Sequence, residues 1–151
     1  MKKSALAAVA TVACASAFHL APAQAQFAKA EDAVKYRQAT MFLMNNHMGR
    51  LGAMARGAVP FDAAAAQSSA RLVESLSHLA WEAYTPNSVT DRSRAKPEIW
   101  QDAAKFKKAI ESAVAETQKL PAAVATLDGL KAQVGAVGRN CKACHDDFRK
   151  D

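Results

Sequence analysis

The chain has little cysteine, with three in 151 residues. It has no apolar run of about 20 residues, the length a membrane-spanning helix needs. No segment alternates apolar and polar residues as a strand does, and no internal repeat is visible. The charges form no one-signed stripe along a face, which argues against a nucleic-acid binder. There is no nucleophile–base–acid set, so the reading is of a protein that is not an enzyme. What remains is an alanine-rich chain with helical periodicity.

The first residues read as a leader. Lys2 and Lys3 are followed by an apolar run from Ala5 to Ala17, and Ala23-Gln24-Ala25 gives an A-x-A cleavage site. Residues 1–25 are therefore expected to be a signal peptide cut after Ala25, and residues 26–151 one exported, periplasmic domain. Lipoprotein processing at Cys14 is the rival, and the preceding Thr11-Val12-Ala13 fits it poorly. Loss of Lys2 and Lys3 takes Lys and Arg from 20 to 18 against 14 Asp and Glu, so net charge falls from +6 to +4. A mildly basic surface suits electrostatically steered encounters with acidic partner proteins. With Cys14 gone, only Cys141 and Cys144 remain, in an oxidising compartment.

Four segments carry apolar residues at steps of three and four. The first runs from about Glu31 to Gly57, with Val34, Arg37, Met41, Met44, Met48, Leu51 and Ala55 inward. The second follows Pro60 with Asp62 as N-cap; its stripe reads Ala65, Ser69, Leu72, Leu76, Leu79, Ala83. Thr85–Lys96 reads as a loop. The third opens at Pro97, a favoured first-turn position. It buries Ile99, Ala103, Phe106, Ile110 and Ala113, and Pro121 ends or kinks it. The fourth runs from about Leu127 to Arg149, with Leu130, Val134, Val137, Cys141, Cys144 and Phe148 on one face. The expected fold is all-α, an antiparallel up-down-up-down four-helix bundle. That topology brings Tyr36, Trp81, Tyr84, Trp100, Phe106 and Phe148 to the pole where the fourth helix ends. The other pole holds Ala, Leu and Met, with Phe61.

The fourth helix ends in CKACH, Cys141–His145, the C-x-x-C-H attachment signature of c-type haem. On a helix, Cys141 and Cys144 share a face and can each reach one vinyl group of a porphyrin. His145, four residues after Cys141, can place an imidazole nitrogen under the iron. A structural zinc site wants four ligands, and only His47 and His78 remain as further imidazoles. A redox-active C-x-x-C belongs at a helix N-terminus, whereas this motif lies in the last two turns. A plain disulfide is held awkwardly by i and i+3 side chains of one helix. Arg37 sits on the inward stripe at this pole. A buried cation needs a partner. Either a haem propionate supplies it, or Arg37 snorkels to the bundle end and meets Asp or Glu.

These residues resemble the cytochrome c′ family. The match is carried by KYRQ at Lys35–Gln38, GRLGAMARG at Gly49–Gly57, PFDAAA from Pro60, AKPEIW at Ala95–Trp100, and CKACHDDFR at Cys141–Arg149, and it covers nearly the whole mature chain. The resemblance implies one covalent haem c. Cys141 and Cys144 form its thioethers and His145 is its proximal iron ligand. It also places Arg37 and Gln38 near the propionates and Arg149 at the proximal face, and implies a homodimer through helices one and two. Phe42 and Leu43 are candidates for that dimer face. Arg94 stands where some members carry an acidic residue that helps contact haem.

Met41 lies one turn beyond Arg37, opposite His145. If its sulfur ligates the iron, the haem is six-coordinate and low-spin, methionine–histidine ligation raises the potential, and the protein is an electron carrier. If Met41 only packs over the distal face, the iron is five-coordinate and high-spin and binds nitric oxide or carbon monoxide. Electron transfer is the leading expectation and gas binding the alternative. His47 is off the stripe and about 9 Å further along the helix at 1.5 Å per residue; His78 reads as a surface imidazole.

Overall fold

A computed structural model describes residues 27–86 and 88–150; the expected leader lies outside them. Four long helices are present among the described residues: α1 (Ala30–Ala55), α2 (Ala63–Leu79), α4 (Ala103–Ala123) and α5 (Leu127–Phe148). A 3-10 turn (Ala80–Ala83) continues α2, and a single turn, α3 (Glu98–Gln101), precedes α4. α1 packs on α2 and α5, and α4 packs on the same two. This is the expected four-helix bundle. Among the described residues there is no strand, only one isolated antiparallel bridge between Ala95 and Arg149.

Local chemistry sets the helix ends. Gly57, with φ of 72°, stops α1. Its N–H donates to Met54 O and the next N–H, of Ala58, reaches back to Ala53 O. This left-handed close suits glycine because it has no Cβ to clash. Asp62 caps α2 as expected, its Oδ1 accepting from Ala64 N at 2.9 Å and Ala65 N at 3.0 Å. Thr126 caps α5 through Gly129 N at 3.1 Å.

Three sequence expectations are corrected. The third helix is not continuous from Pro97. Asp102 leaves helical geometry (φ −122°, ψ 65°) and its side chain caps α4 through Lys105 N. A carboxylate that can bond a nearby N–H competes with the helix and restarts it. Pro121 does not end α4, which runs on to Ala123. The buried face of α2 is also different. Ala66, Ser69, Ala70, Val73 and Ser77 are buried, whereas Leu72 and Leu79 are 43% and 40% exposed. Small side chains let α2 approach its neighbours closely. The hydroxyls survive burial because they are bonded: Ser77 Oγ donates to Glu74 O, and Thr117 Oγ1 of α4 lies 2.8 Å from Ser77 Oγ.

The core has two parts. Leu51, Met54, Ala66, Ala70, Val73, Leu120, Val124, Leu130 and Val137 form an aliphatic cluster, with Phe61 packed against it. Ile99, Phe106, Cys144 and Phe148 form a second, with Trp81, Tyr84 and Trp100 against it. The aromatics thus gather where the CKACH end of α5 lies.

Candidate functional site

α5 presents Cys141, Cys144 and His145 from adjacent turns, because residues three and four apart are neighbours on a helix surface. Cys144 is buried, His145 half-buried and Cys141 exposed, and both thiols are free. Burial pushes the Cys144 thiol up to about 11, with Cys141 and Asp147 adding to the effect. A neutral thiol of this kind is the opposite of the activated thiolate of a redox C-x-x-C. Burial, then the Arg149 cation, holds His145 below the ordinary histidine range. At neutral pH its imidazole is therefore uncharged, the form that ligates metals. Arg149 Nη1 lies 3.3 Å from His145 Nδ1.

These three residues form one wall of a cavity of about 590 Å³. α1 supplies another wall with Arg37, Gln38, Met41, Met44 and Met48. The 3-10 turn supplies Trp81, with Tyr84 just beyond it and Ile99 from α3, while α4 and α5 add Phe106 and Phe148, with Arg149 just past the end of α5. Phe106 is the hub of the rings, with centroids 5.1 Å from both Tyr84 and Phe148 and 6.2 Å from Trp81. Edge-to-face contacts of this kind stiffen the wall. The space is large enough for a cofactor-sized ligand. Its walls are apolar and aromatic, and two neutral thiols and a neutral imidazole share one side. That donor set fits a large flat ring with a metal to be ligated and an edge to be tethered. Among the described residues, no three His, Cys, Asp or Glu side chains converge as a metal cage.

Arg37 is buried, at 3% exposure, but meets neither Asp nor Glu among the described residues. Nη1 donates to Ala83 O at 3.0 Å and Ser88 Oγ at 2.7 Å; Nη2 donates to Ser88 O at 2.8 Å and Ser93 Oγ at 2.6 Å. Its guanidinium carbon stands 4.8 Å from the centre of the Tyr84 ring. The carboxylate pairing at the bundle end is thus replaced by carbonyls, hydroxyls and an aromatic face. Gln38 Nε2 donates to Arg92 O at 2.8 Å. Both residues therefore line the cavity and pin the connection between the 3-10 turn and α3. Ser88 and Ser93, both buried, were not legible as site residues, because nothing periodic marks them.

The same connection is tied to the end of α5. Lys96 N donates to Phe148 O at 2.9 Å, and Lys150 N to Arg94 O at 2.8 Å. Arg94 lines the cavity, and its Nε donates to Lys150 O at 3.2 Å. Met41 is half-buried, as are Met44 and Met48 along the same wall. His47 lies between α1 and α2, its Nδ1 3.4 Å from Ser69 Oγ, and His78 is exposed. Trp81 has a buried indole N–H with no partner among the described residues, a feature the sequence does not announce.

Residues 32–149 match the family described as cytochrome C′. Cytochrome c′ of Alcaligenes xylosoxydans is 46% identical over 127 residues, covering 83% of this chain and 98% of that protein. The crystal structure of cytochrome c′ from Rubrivivax gelatinosus superposes with a TM-score of 0.80 at 43% identity, covering 83% of this chain and 100% of that one. A nitric oxide complex of a point mutant of cytochrome c prime from Alcaligenes xylosoxidans gives 0.79 at 44% identity, covering 83% and 99%.

Proposed function

The chain belongs to the cytochrome c′ family, and we propose that it is a periplasmic cytochrome that binds nitric oxide or carbon monoxide at its haem. Proteins of the family carry one covalent haem c with iron. When bound, that group would supply an iron able to bind a diatomic gas and to exchange one electron. In this reading Cys141 and Cys144 would tether the ring and His145 would ligate its iron. Met41 packs over the opposite face with Met44 and Met48, keeping water out of an apolar pocket. Arg37 and Gln38 hold the connection that closes the propionate side, and Arg149 stands beside the proximal imidazole. The protein is a binder and carrier, not an enzyme.

The observation that carries this reading is the apolar cavity between the CKACH wall and the methionine wall. It is supported by the nitric oxide complex of the structural neighbour. A Met41→Leu holoprotein tests it. Leucine fills similar space without a sulfur, so the ferric spin state should be unchanged. A low-spin wild type that turns high-spin on substitution would instead make Met41 an iron ligand and the protein an electron carrier with a closed iron.

Electron transfer remains the second reading, favoured by the exposure of Cys141 at the tethered edge. A homodimer is part of the proposal as well. Phe42 and Leu43 of α1 and Leu72 and Leu79 of α2 are exposed, Phe42 by 65%, and they offer these helices an apolar face. Among the described residues no helix is long and apolar enough to cross a membrane.

A further inference from the structure

Most polar hydrogens around the cavity are already spent within the chain. Arg37 uses both terminal nitrogens on the Ala83 and Ser88 carbonyls and the Ser88 and Ser93 hydroxyls. Gln38 Nε2 is used on the Arg92 carbonyl. Further along the same space, Ser77 Oγ donates to Glu74 O at 2.6 Å. Thr117 Oγ1 is bonded to Ser77 Oγ at 2.8 Å and to Val114 O at 2.9 Å. The Trp81 N–H has no partner among the described residues, but it is enclosed by its own wall.

Tyr84 differs from all of these. It lines the cavity, and no described residue is hydrogen-bonded to its hydroxyl. The ring itself is held on three sides. Phe106 stands edge-on with centroids 5.1 Å apart, Trp81 stacks at 6.0 Å, and the Arg37 guanidinium lies 4.8 Å over its face. A ring clamped in this way aims its hydroxyl in one direction at little further entropic cost. Burial pushes the phenol above the ordinary tyrosine range, Arg37 acts against that, and Cys144 adds to it. The hydroxyl therefore keeps its proton at neutral pH and is a donor. Arg37 is one turn from Met41 on α1, and Cys144 is next to His145 on α5. The phenol thus feels both walls that face each other across the cavity.

We propose that the Tyr84 hydroxyl donates a hydrogen bond to the outer atom of a diatomic ligand held in this cavity, and so selects ligands that gather negative charge on that atom. This deepens the gas-binding reading and rests on it. A donor left without an acceptor in an apolar wall is costly, and the ligand supplies the acceptor. Hydrogen-bond donors on the open side of a haem decide which gas is held. Nitric oxide and dioxygen draw more electron density from ferrous iron than carbon monoxide does. A single fixed donor among aromatic side chains, where the local dielectric is low, therefore favours them over carbon monoxide. Tyr84 is in this account a specificity-determining residue, and the apolar methionine wall opposite the CKACH motif only shapes the space.

Tyr84→Phe holoprotein removes the hydroxyl and keeps the ring. Because the hydroxyl serves no partner in the chain, the denaturant midpoint should not fall. The probe is carbon monoxide on the ferrous holoprotein, read by its infrared C–O stretch. A donor beside the bound gas lowers that stretch, so Tyr84→Phe should move it to higher frequency. The ratio of nitric oxide affinity to carbon monoxide affinity should fall about fivefold, the worth of one hydrogen bond. Tyr36→Phe removes a phenol hydroxyl whose ring packs on Phe27 outside the cavity, and it should leave both readings unchanged. A carbonyl stretch that is the same in Tyr84→Phe and wild type overturns the proposal. A fall in the midpoint also overturns it, because the hydroxyl would then be serving the fold. A stretch that moves while the affinity ratio stays fixed overturns the selectivity. A ferrous wild type that takes up no carbon monoxide overturns the underlying gas-binding reading instead.

Discussion

The two ends of the bundle are built on the same four helices and filled in opposite ways. At one end Leu51, Leu120, Leu130 and Val124 are fully buried and close the core with aliphatic side chains of the chain itself. At the other, Trp81, Tyr84, Phe106 and Phe148 only wall a space of about 590 Å³. Packed interiors leave few voids larger than a water molecule. A cavity of this size is therefore one that a ligand completes, and the contrast separates the end that folds the protein from the end that uses it.

The strongest way to break that contrast is to remove the tethers. A Cys141→Ser/Cys144→Ser chain should carry no covalent haem, and acid–acetone extraction of the purified protein should remove all its colour. The aliphatic end should respond in stability alone. Leu130→Ala is expected to cost about 2–5 kcal/mol in denaturant unfolding while leaving the holoprotein spectrum unchanged. Arg37→Met probes the connection that closes the aromatic end. It removes four hydrogen bonds, to the Ala83 and Ser88 carbonyls and the Ser88 and Ser93 hydroxyls, a loss of about 3 kcal/mol by denaturant unfolding. It should also bring faster hydrogen exchange at Ser88 and Ser93.

Gly57→Ala, at the turn after α1, should cost about 1 kcal/mol, because its φ of 72° suits glycine. Glu116 gives the smallest effect. Its hydrogen bonds from Lys119 and Gln133 hold its carboxyl below the ordinary range. Protons then bind the unfolded state more readily. The contribution is present above the unfolded carboxylate pKa and is lost as pH falls through the depressed folded value. Glu116→Gln should flatten that slight acid-side slope in a pH series of melting temperatures.

How much of this could be read from the sequence differs between the ends for a physical reason. CKACH is legible because a tether and its ligand must lie within one helical turn, so the chemistry is local. The aromatic pole follows from topology once four periodic segments are counted. The partners of Arg37 were not legible, because Ser88 and Ser93 reach it from an aperiodic connection more than 50 residues away. The buried face of α2 was misjudged because leucine bulk draws attention to Leu72 and Leu79, whereas close helix approach selects alanine and serine. The break at Asp102 did carry a signal, an N-cap residue inside an apparently continuous helix, and Pro97 at the first turn masked it. Met41, Met44 and Met48 share a stripe and a similar burial, so periodicity cannot separate a ligand from filler.

The central claim is that the aromatic end holds a haem whose distal face is open to gas. The most direct test is the visible absorption spectrum of the ferrous holoprotein before and after carbon monoxide. The predicted result is a high-spin spectrum that shifts fully to the carbonyl form. A low-spin spectrum indifferent to carbon monoxide would contradict it, because a side chain of the protein would then already occupy the iron.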